Sequence, residues 1–113
     1  MRKSAKIFLE HILDAINLIE EYIKDKKKSE FLESMQLQDS VIRRIEIIGE
    51  AIKNIPSDFK GAYKNIPWKE ITGMRDILIH QYFGVDLELT WEVIKTDLPK
   101  LKKQIISIKI ELY

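Results

Sequence analysis

The segment Met74–Tyr82 carries an arginine, an aspartate, a histidine and a tyrosine at helical spacing, namely Arg75, Asp76, His80 and Tyr82. An arginine keeps its positive charge at physiological pH, whereas a histidine imidazole exchanges a proton near neutrality. A fixed cation beside such an imidazole is what cleavage of a phosphodiester requires. We therefore predict that this segment holds the functional site, because the rest of the chain offers little other chemistry.

Helical spacing groups these side chains into two pairs. At about 100° per residue, Arg75 and Tyr82 fall within roughly 20° of each other, two turns apart. Asp76 and His80 are neighbours on the helix surface because they are four residues apart. Gly73 lies one helical repeat before His80, where the missing side chain permits close approach. A polar face that carries a glycine favours contact with a second protomer.

Length and composition indicate one folded domain, residues 1–113, since 45% of the chain is apolar. The absence of cysteine excludes disulfides and zinc–thiolate sites. The sequence has neither a Glu-x-x-His pair nor a glycine-rich phosphate loop, so we expect no metal and no cofactor. The first helical region mixes charged and apolar residues. We therefore expect neither a signal peptide nor a membrane span. The absence of cysteine is consistent with the cytoplasmic location that we expect.

The charge balance limits how the chain can bind nucleic acid. The net charge is only +1, from 19 basic and 18 acidic residues. A protein that coats nucleic acid usually has a larger basic excess. Any contact with RNA must therefore be local, with an affinity that is modest or sensitive to salt. The densest basic run, residues 24–28, has the composition of a solvated helix end.

The apolar spacing predicts an all-α fold, an up-and-down bundle of four main helices with short additional helices. The first helix is expected from about Ser4 to Lys26. A later main helix should end before Pro56, and a short one should run from Ser57 through Tyr63.

Capping residues and prolines predict the other boundaries. Ser29 is expected to cap a short second element. Pro67 suits the first turn of the motif helix, which should end near Gly84. Asp97 and Pro99 predict a kink or a restart inside the last helical region.

The C-terminal run, residues 105–110, is apolar on more than one face of a helix. It is either a helix buried between two neighbours or a dimerisation surface. The sequence leaves both alternatives open, since an exposed apolar patch needs an explanation.

Four segments of the chain, in order, resemble the HepT-like toxins, a branch of the HEPN superfamily. Arg75, His80 and Tyr82 match the signature Arg-x4-His-x-Tyr. The other matching segments are residues 41–51, which contain Ile-Gly-Glu-Ala, the lead-in Ile-Pro-Trp at 66–68, and the lead-out Val-Asp at 85–86 with Trp91.

The resemblance implies an all-helical bundle that forms two-fold dimers and acts as a metal-independent endoribonuclease on tRNA or mRNA. Such toxins pair with a minimal nucleotidyltransferase antitoxin, in assemblies that can be larger than a dimer. The antitoxin transfers AMP onto the motif tyrosine, a position that Tyr82 occupies here, and so blocks the ribonuclease. Asp76 stands where the family often has asparagine, and it adds a negative charge near an RNA site.

On this hypothesis, each motif residue has a role in a cleft between two protomers. His80 acts as general base or acid, and Arg75 binds the scissile phosphate. Asp76 accepts a hydrogen bond from His80 and fixes its tautomer. A two-fold axis brings two Arg75–His80 sets together, which supplies a separate acid and base.

Other interpretations of the same residues stay open. Asp76 and His80 can form an ordinary pair on a solvated helix, with Arg75 in a surface ion pair. Tyr82 can be a packed aromatic residue with a solvated hydroxyl. The alternative function is a non-catalytic helical adaptor that docks a nucleotidyltransferase and helps to form its substrate site. His11, the other histidine, is expected to be a surface or packed residue.

Overall fold

The computed structural model describes the backbone of residues 2–79 and 86–113 and the side chains of residues 5–73 and 86–113. In chain order its helices are α1 (Arg2–Ile23), α2 (Lys28–Glu33), α3 (Met35–Asn54), α4 (Ser57–Ala62), α5 (Trp68–Ile79), α6 (Leu87–Glu92) and α7 (Leu98–Leu112). The described part of the chain contains no strand, so the predicted all-α bundle of four main helices with short additional ones is confirmed. None of the described helices is long and apolar enough to cross a membrane.

The core lies between α1, α3 and α7. Apolar residues three or four positions apart form one stripe on each of these helices. The buried stripes are Leu9, Ile12, Ile16 and Ile19 on α1, Val41, Ile45, Ile48 and Ile52 on α3, and Leu98, Leu101, Ile105 and Ile108 on α7. Beside this core, the Lys102 Nζ lies 2.6 Å from the Glu20 Oε1, an ion pair that joins α7 to α1.

The first helix ends at Ile23, before the predicted end at Lys26. Asp25 has a φ of 60°, in the left-handed region, which ends the helix and turns the chain. Residues 24–28 are all exposed, as expected for a solvated helix end. The helical spacing of apolar residues says nothing about this turn, because the residues that form it are all polar.

The helix that follows does not use the serine that was predicted to cap it. Ser29 lies inside α2, so the predicted capping role is wrong. The helix begins before Ser29, and the Glu30 carboxylate accepts a hydrogen bond of 3.0 Å from the Lys27 amide. The cap of α3 is a serine, Ser34, whose hydroxyl accepts a hydrogen bond of 3.1 Å from the Leu37 amide.

The predicted kink or restart near Asp97 and Pro99 falls where the helix changes type, from a π-helical turn, Val93–Asp97, to α7. Pro99 is the second residue of α7 and lacks the amide hydrogen of a helical bond at the place where the helix changes from π to α. Within α7, Ile105 is fully buried, whereas Ile110 is 80% exposed. The C-terminal run is therefore not buried on every side within one copy of the chain.

Candidate functional site

The predicted site lies on α5 and just after it. Arg75 and Asp76 belong to the second half of this helix. Their side chains, and the whole of His80 and Tyr82, lie outside the described residues, as does the predicted helix end near Gly84. What the structure does describe is how the chain is held on both sides of the motif.

A hydrogen-bonded turn holds the start of α5. The Trp68 indole nitrogen and the Ile66 amide both donate to the Tyr63 carbonyl oxygen, each over 3.1 Å. Ile66 and Trp68 are buried, so both side chains fix the turn to the core. The helix begins at Trp68, directly after Pro67, which was expected inside its first turn. The Pro67 carbonyl accepts a hydrogen bond of 3.0 Å from the Ile71 amide.

The described structure resumes at Asp86, which caps α6. Its carboxylate accepts a hydrogen bond of 3.0 Å from the Leu89 amide. Its carbonyl oxygen accepts one of 2.7 Å from the buried hydroxyl of Thr90. The next residue, Trp91, packs on Phe31 of α2 with the ring centres 5.5 Å apart. The start of α6 is thus fixed by its own cap and by an aromatic contact with α2.

An ion pair between Lys28 and Glu88 also joins α2 to α6. The hydrogen bond and charge of the Glu88 carboxylate raise the pKa of the Lys28 ammonium above its ordinary value of 10.5. The pair therefore contributes stability at neutral pH and loses that contribution as the pH rises through the raised pKa. Solvent screens two such exposed side chains, so the contribution of this ion pair to stability is small.

Three lysines from three helices surround a depression of about 340 Å³ beside the first half of α5. They are Lys53 of α3, Lys60 of α4 and Lys69 of α5, and we call this feature the lysine depression. Its other lining residues are Ile52, Trp68 and Thr72. None of the described residues that line it is acidic, so the depression carries a local excess of positive charge.

These lysines were not singled out from the sequence. They lie on three different helices, so no spacing rule within one element predicts that they meet. The dense basic run at residues 24–28 is the more conspicuous cluster in the sequence, but it forms an exposed turn. Only the packing of α3, α4 and α5 brings the three lysines together.

The same side of α5 is open at Gly73. In the described structure, a β-carbon built on Gly73 would have no neighbouring atom within 4 Å. At about 100° per residue, Gly73 and Lys69 fall within roughly 40° of each other around the helix. Among the described residues, a small side chain at Gly73 would therefore meet no steric obstacle.

The other histidine lies in a different depression, between α1 and α3. His11 is exposed, and its ring meets Phe8 edge-on with the ring centres 6.1 Å apart. Arg43, Glu46 and Glu50 line the same depression of about 320 Å³. The prediction that His11 is a surface or packed residue is confirmed.

Comparisons with known proteins identify the family. The family model described as "Ribonuclease HepT-like" matches residues 12–108. A Thermococcus cleftensis protein named "Probable ribonuclease HepT" is 51% identical over 102 residues, which cover 90% of this chain and 93% of that protein. A Methanocaldococcus jannaschii protein named "Gamma-glutamylcyclotransferase and putative RNase" is 64% identical over 112 residues.

The second of these relatives is a longer protein. The match covers 99% of this chain but 50% of the M. jannaschii protein, so the chain spans half of that relative's length. No solved structure gives a significant match. The family match and the T. cleftensis relative both extend over nearly all of the chain, which therefore belongs to the HepT-like ribonuclease family.

Proposed function

We propose that this chain is a metal-independent endoribonuclease that cleaves tRNA or mRNA in the cytoplasm as the toxin of a toxin–antitoxin module. The observation that carries the proposal is the family match over residues 12–108, which contains the whole segment Arg75–Tyr82. Both relatives described above have names that include a ribonuclease. The motif residues supply the groups that such a reaction needs without a metal.

In the proposed reaction, His80 accepts the proton of a ribose 2′-hydroxyl, and the 2′-oxygen attacks the adjacent phosphorus. The bond from phosphorus to the 5′-oxygen breaks, which leaves a 2′,3′-cyclic phosphate on one product. The departing 5′-oxygen takes up a proton from a general acid. Arg75 binds the phosphate oxygens through its forked donors and stabilises the charge that develops there.

Asp76 has a supporting role in this proposal. Its four-residue spacing from His80 suits a hydrogen bond in which the imidazole N–H donates to the carboxylate. That bond would fix which ring nitrogen accepts the substrate proton. Asp76 therefore acts through His80 and does not itself touch the substrate.

A two-fold dimer would supply the second imidazole. Each chain offers one His80, whereas separate base and acid roles require two such groups. The open space around Gly73 on α5 supports close approach of a second copy on this side. The proposed active site therefore lies in a cleft between two protomers, each of which contributes Arg75 and His80.

The purified chain is expected to cleave RNA in the presence of EDTA and to leave cyclic phosphate ends, because no proposed step uses a metal. A DNA strand of the same sequence should remain uncut, since it lacks the attacking 2′-hydroxyl. Gel analysis and product mass measure both outcomes, after intact mass has shown that the preparation carries no AMP. Loss of all activity in EDTA, or cleavage of the DNA strand, would contradict the proposal. Inactivity of an unmodified, folded dimer on tRNA and mRNA would favour the adaptor.

Transfer of AMP onto Tyr82 by a minimal nucleotidyltransferase is the proposed off-switch, in a complex that can exceed one toxin dimer. An added phosphate near Arg75 would compete with the RNA phosphate for the same cation. Tyr82→Phe is therefore expected to cleave RNA and to stay active when the nucleotidyltransferase and ATP are present. Tyr113→Phe, at an exposed tyrosine outside the motif, should still be inhibited. Intact mass checks both variants, and AMP on Tyr82→Phe would place the acceptor elsewhere.

A further inference from the structure

We propose that the lysine depression, formed by Lys53, Lys60 and Lys69, binds backbone phosphates of the RNA substrate. This inference rests on the proposed ribonuclease function and adds a place where the RNA strand is held outside the cleavage motif. A lysine ammonium is a compact point charge with three donors, which suits the oxygens of a phosphodiester. Contacts with phosphates fix the position of a nucleic acid without selecting its sequence.

The first argument is the distribution of charge. The whole chain carries a net charge of only +1, from 19 basic and 18 acidic residues. Three lysines without an acidic partner in the described lining are therefore a marked local excess. The ion pairs between described residues use other lysines, namely Lys6, Lys28, Lys102 and Lys109. A concave basic surface of this kind concentrates polyanions near it.

The second argument is that parts of the depression are held in place. The Lys60 Nζ donates a hydrogen bond of 3.1 Å to the Ile52 carbonyl oxygen, near the C-terminal end of α3. This bond uses one of three donors and leaves two for a phosphate. Lys69 is the second residue of α5, so the positive end of the helix dipole adds to the attraction for an anion. Glu70 points about 100° away from Lys69 around the helix.

The third argument concerns the floor of the depression, which suits phosphates better than bases. Trp68 is 7% exposed, so its ring is too buried for a base to stack on it. Its indole N–H already donates to Tyr63, and the Thr72 hydroxyl donates to the Trp68 carbonyl oxygen over 3.0 Å. The lysine ammonium groups are thus the donors that remain, and the site should bind single strands regardless of base sequence.

The position of the depression links it to the motif. The backbone positions of Lys69 and Asp76 on α5 fall within roughly 20° of each other and about 10 Å apart along the axis. A strand bound at the lysines can therefore extend along this face of α5 as far as Asp76, whereas Arg75 falls roughly 120° around the helix from Lys69. Local binding of this kind explains how a nearly neutral chain can hold RNA.

The test compares the double variant Lys53→Gln/Lys69→Gln with a matched control, Lys100→Gln/Lys103→Gln, which removes two exposed lysines of α7. Lys60 is left unchanged because it also bonds to α3. A fluorescent DNA strand, which the ribonuclease cannot cut, reports the Kd at several salt concentrations. The salt slope is the slope of log Kd against the logarithm of the salt concentration, and each phosphate contact with a single strand contributes about 0.7 to it. Losing two contacts is therefore expected to lower the salt slope by roughly 1.4 and to weaken binding about tenfold at moderate salt. With RNA, KM should rise by a similar factor and kcat should stay unchanged.

The outcomes separate this inference from the ribonuclease proposal. A lower salt slope in Lys53→Gln/Lys69→Gln, but not in the control variant, supports the site. This result would stand even if the wild type cleaves no RNA and the proposed reaction fails. Active wild type with equal Kd, slope and KM in both double variants would overturn the site while leaving the ribonuclease intact. A fall in kcat without a change in KM would also overturn it, because the lysines would then act in the chemistry. If the wild type binds polyglutamate as tightly as it binds the DNA strand, the ligand of the depression is an acidic protein, and RNA is ruled out as its ligand.

Discussion

Replacing His80 by alanine is expected to lower the rate of RNA cleavage at least about 100-fold, because positioned proton transfer contributes a factor of that size or more. The fold should survive, since the core lies between α1, α3 and α7. The chain contains only two histidines, which provides a matched control. His11→Ala removes an exposed imidazole from the depression between α1 and α3, and it is expected to leave cleavage unchanged.

The measurement is kcat on RNA in EDTA for the wild type and both histidine variants, with circular dichroism and thermal unfolding to verify the fold. Cleavage by folded His80→Ala at the wild-type rate would contradict the proposed mechanism. An equal loss in His11→Ala would mean that the assay responds to any lost imidazole. The pH profile of the wild type should show ionisations near neutrality, where an imidazole titrates.

The same variant tests whether the site needs two imidazoles from two protomers. Wild-type and His80→Ala chains can be mixed in known ratios, unfolded together and refolded as random dimers. If both imidazoles are required, activity per chain follows the square of the wild-type fraction, so an equal mixture retains about one quarter. If each protomer instead cleaves RNA independently with its own imidazole, the same mixture retains about one half. A linear dependence would therefore contradict the shared site.

Much of the fold was predictable because helix periodicity is local. The isoleucines spaced along the first helix, Ile12, Ile16 and Ile19, are all buried as that spacing requires. The ends of helices were less predictable, since they depend on single backbone conformations. Asp25 ends α1 through a left-handed φ, although aspartate itself does not specify one. The predicted cap at Ser29 was wrong because the Glu30 carboxylate accepts the hydrogen bond of the Lys27 amide, so the helix begins before Ser29.

One part of the candidate site was predictable from the sequence, and the other part was not. The motif from Arg75 to Tyr82 is compact in sequence, so its residue types and spacing were enough to single it out. Lys53, Lys60 and Lys69 belong to three helices, and each alone is an ordinary surface lysine. Their meeting depends on how α3, α4 and α5 pack, which is a tertiary property. Local chemistry is thus visible in the sequence, whereas a binding surface assembled from distant segments is not.

Replacing Phe31 by alanine is expected to lower the free energy of unfolding by about 3–5 kcal/mol, the usual cost of deleting a buried phenyl ring. Phe31 is fully buried and is the buried residue of α2. Its ring packs on Trp91 at an interplanar angle of 35°, which joins α2 to α6. Phe8→Ala is the control, because Phe8 is only partly buried at the edge of the core and should cost clearly less.

Urea unfolding of both variants measures this difference, and a loss below about 1 kcal/mol for Phe31→Ala would mean that the ring contact does not hold α6. The activity of Phe31→Ala then distinguishes a residue that stabilises the fold from one that takes part in the reaction. Because α6 follows directly after the motif segment, Phe31→Ala should lose cleavage as its folded fraction falls on warming and regain it on cooling. His80→Ala should remain inactive at every temperature at which it is folded. Phe31→Ala that stays folded but inactive would instead show that the α2–α6 contact acts on the motif itself.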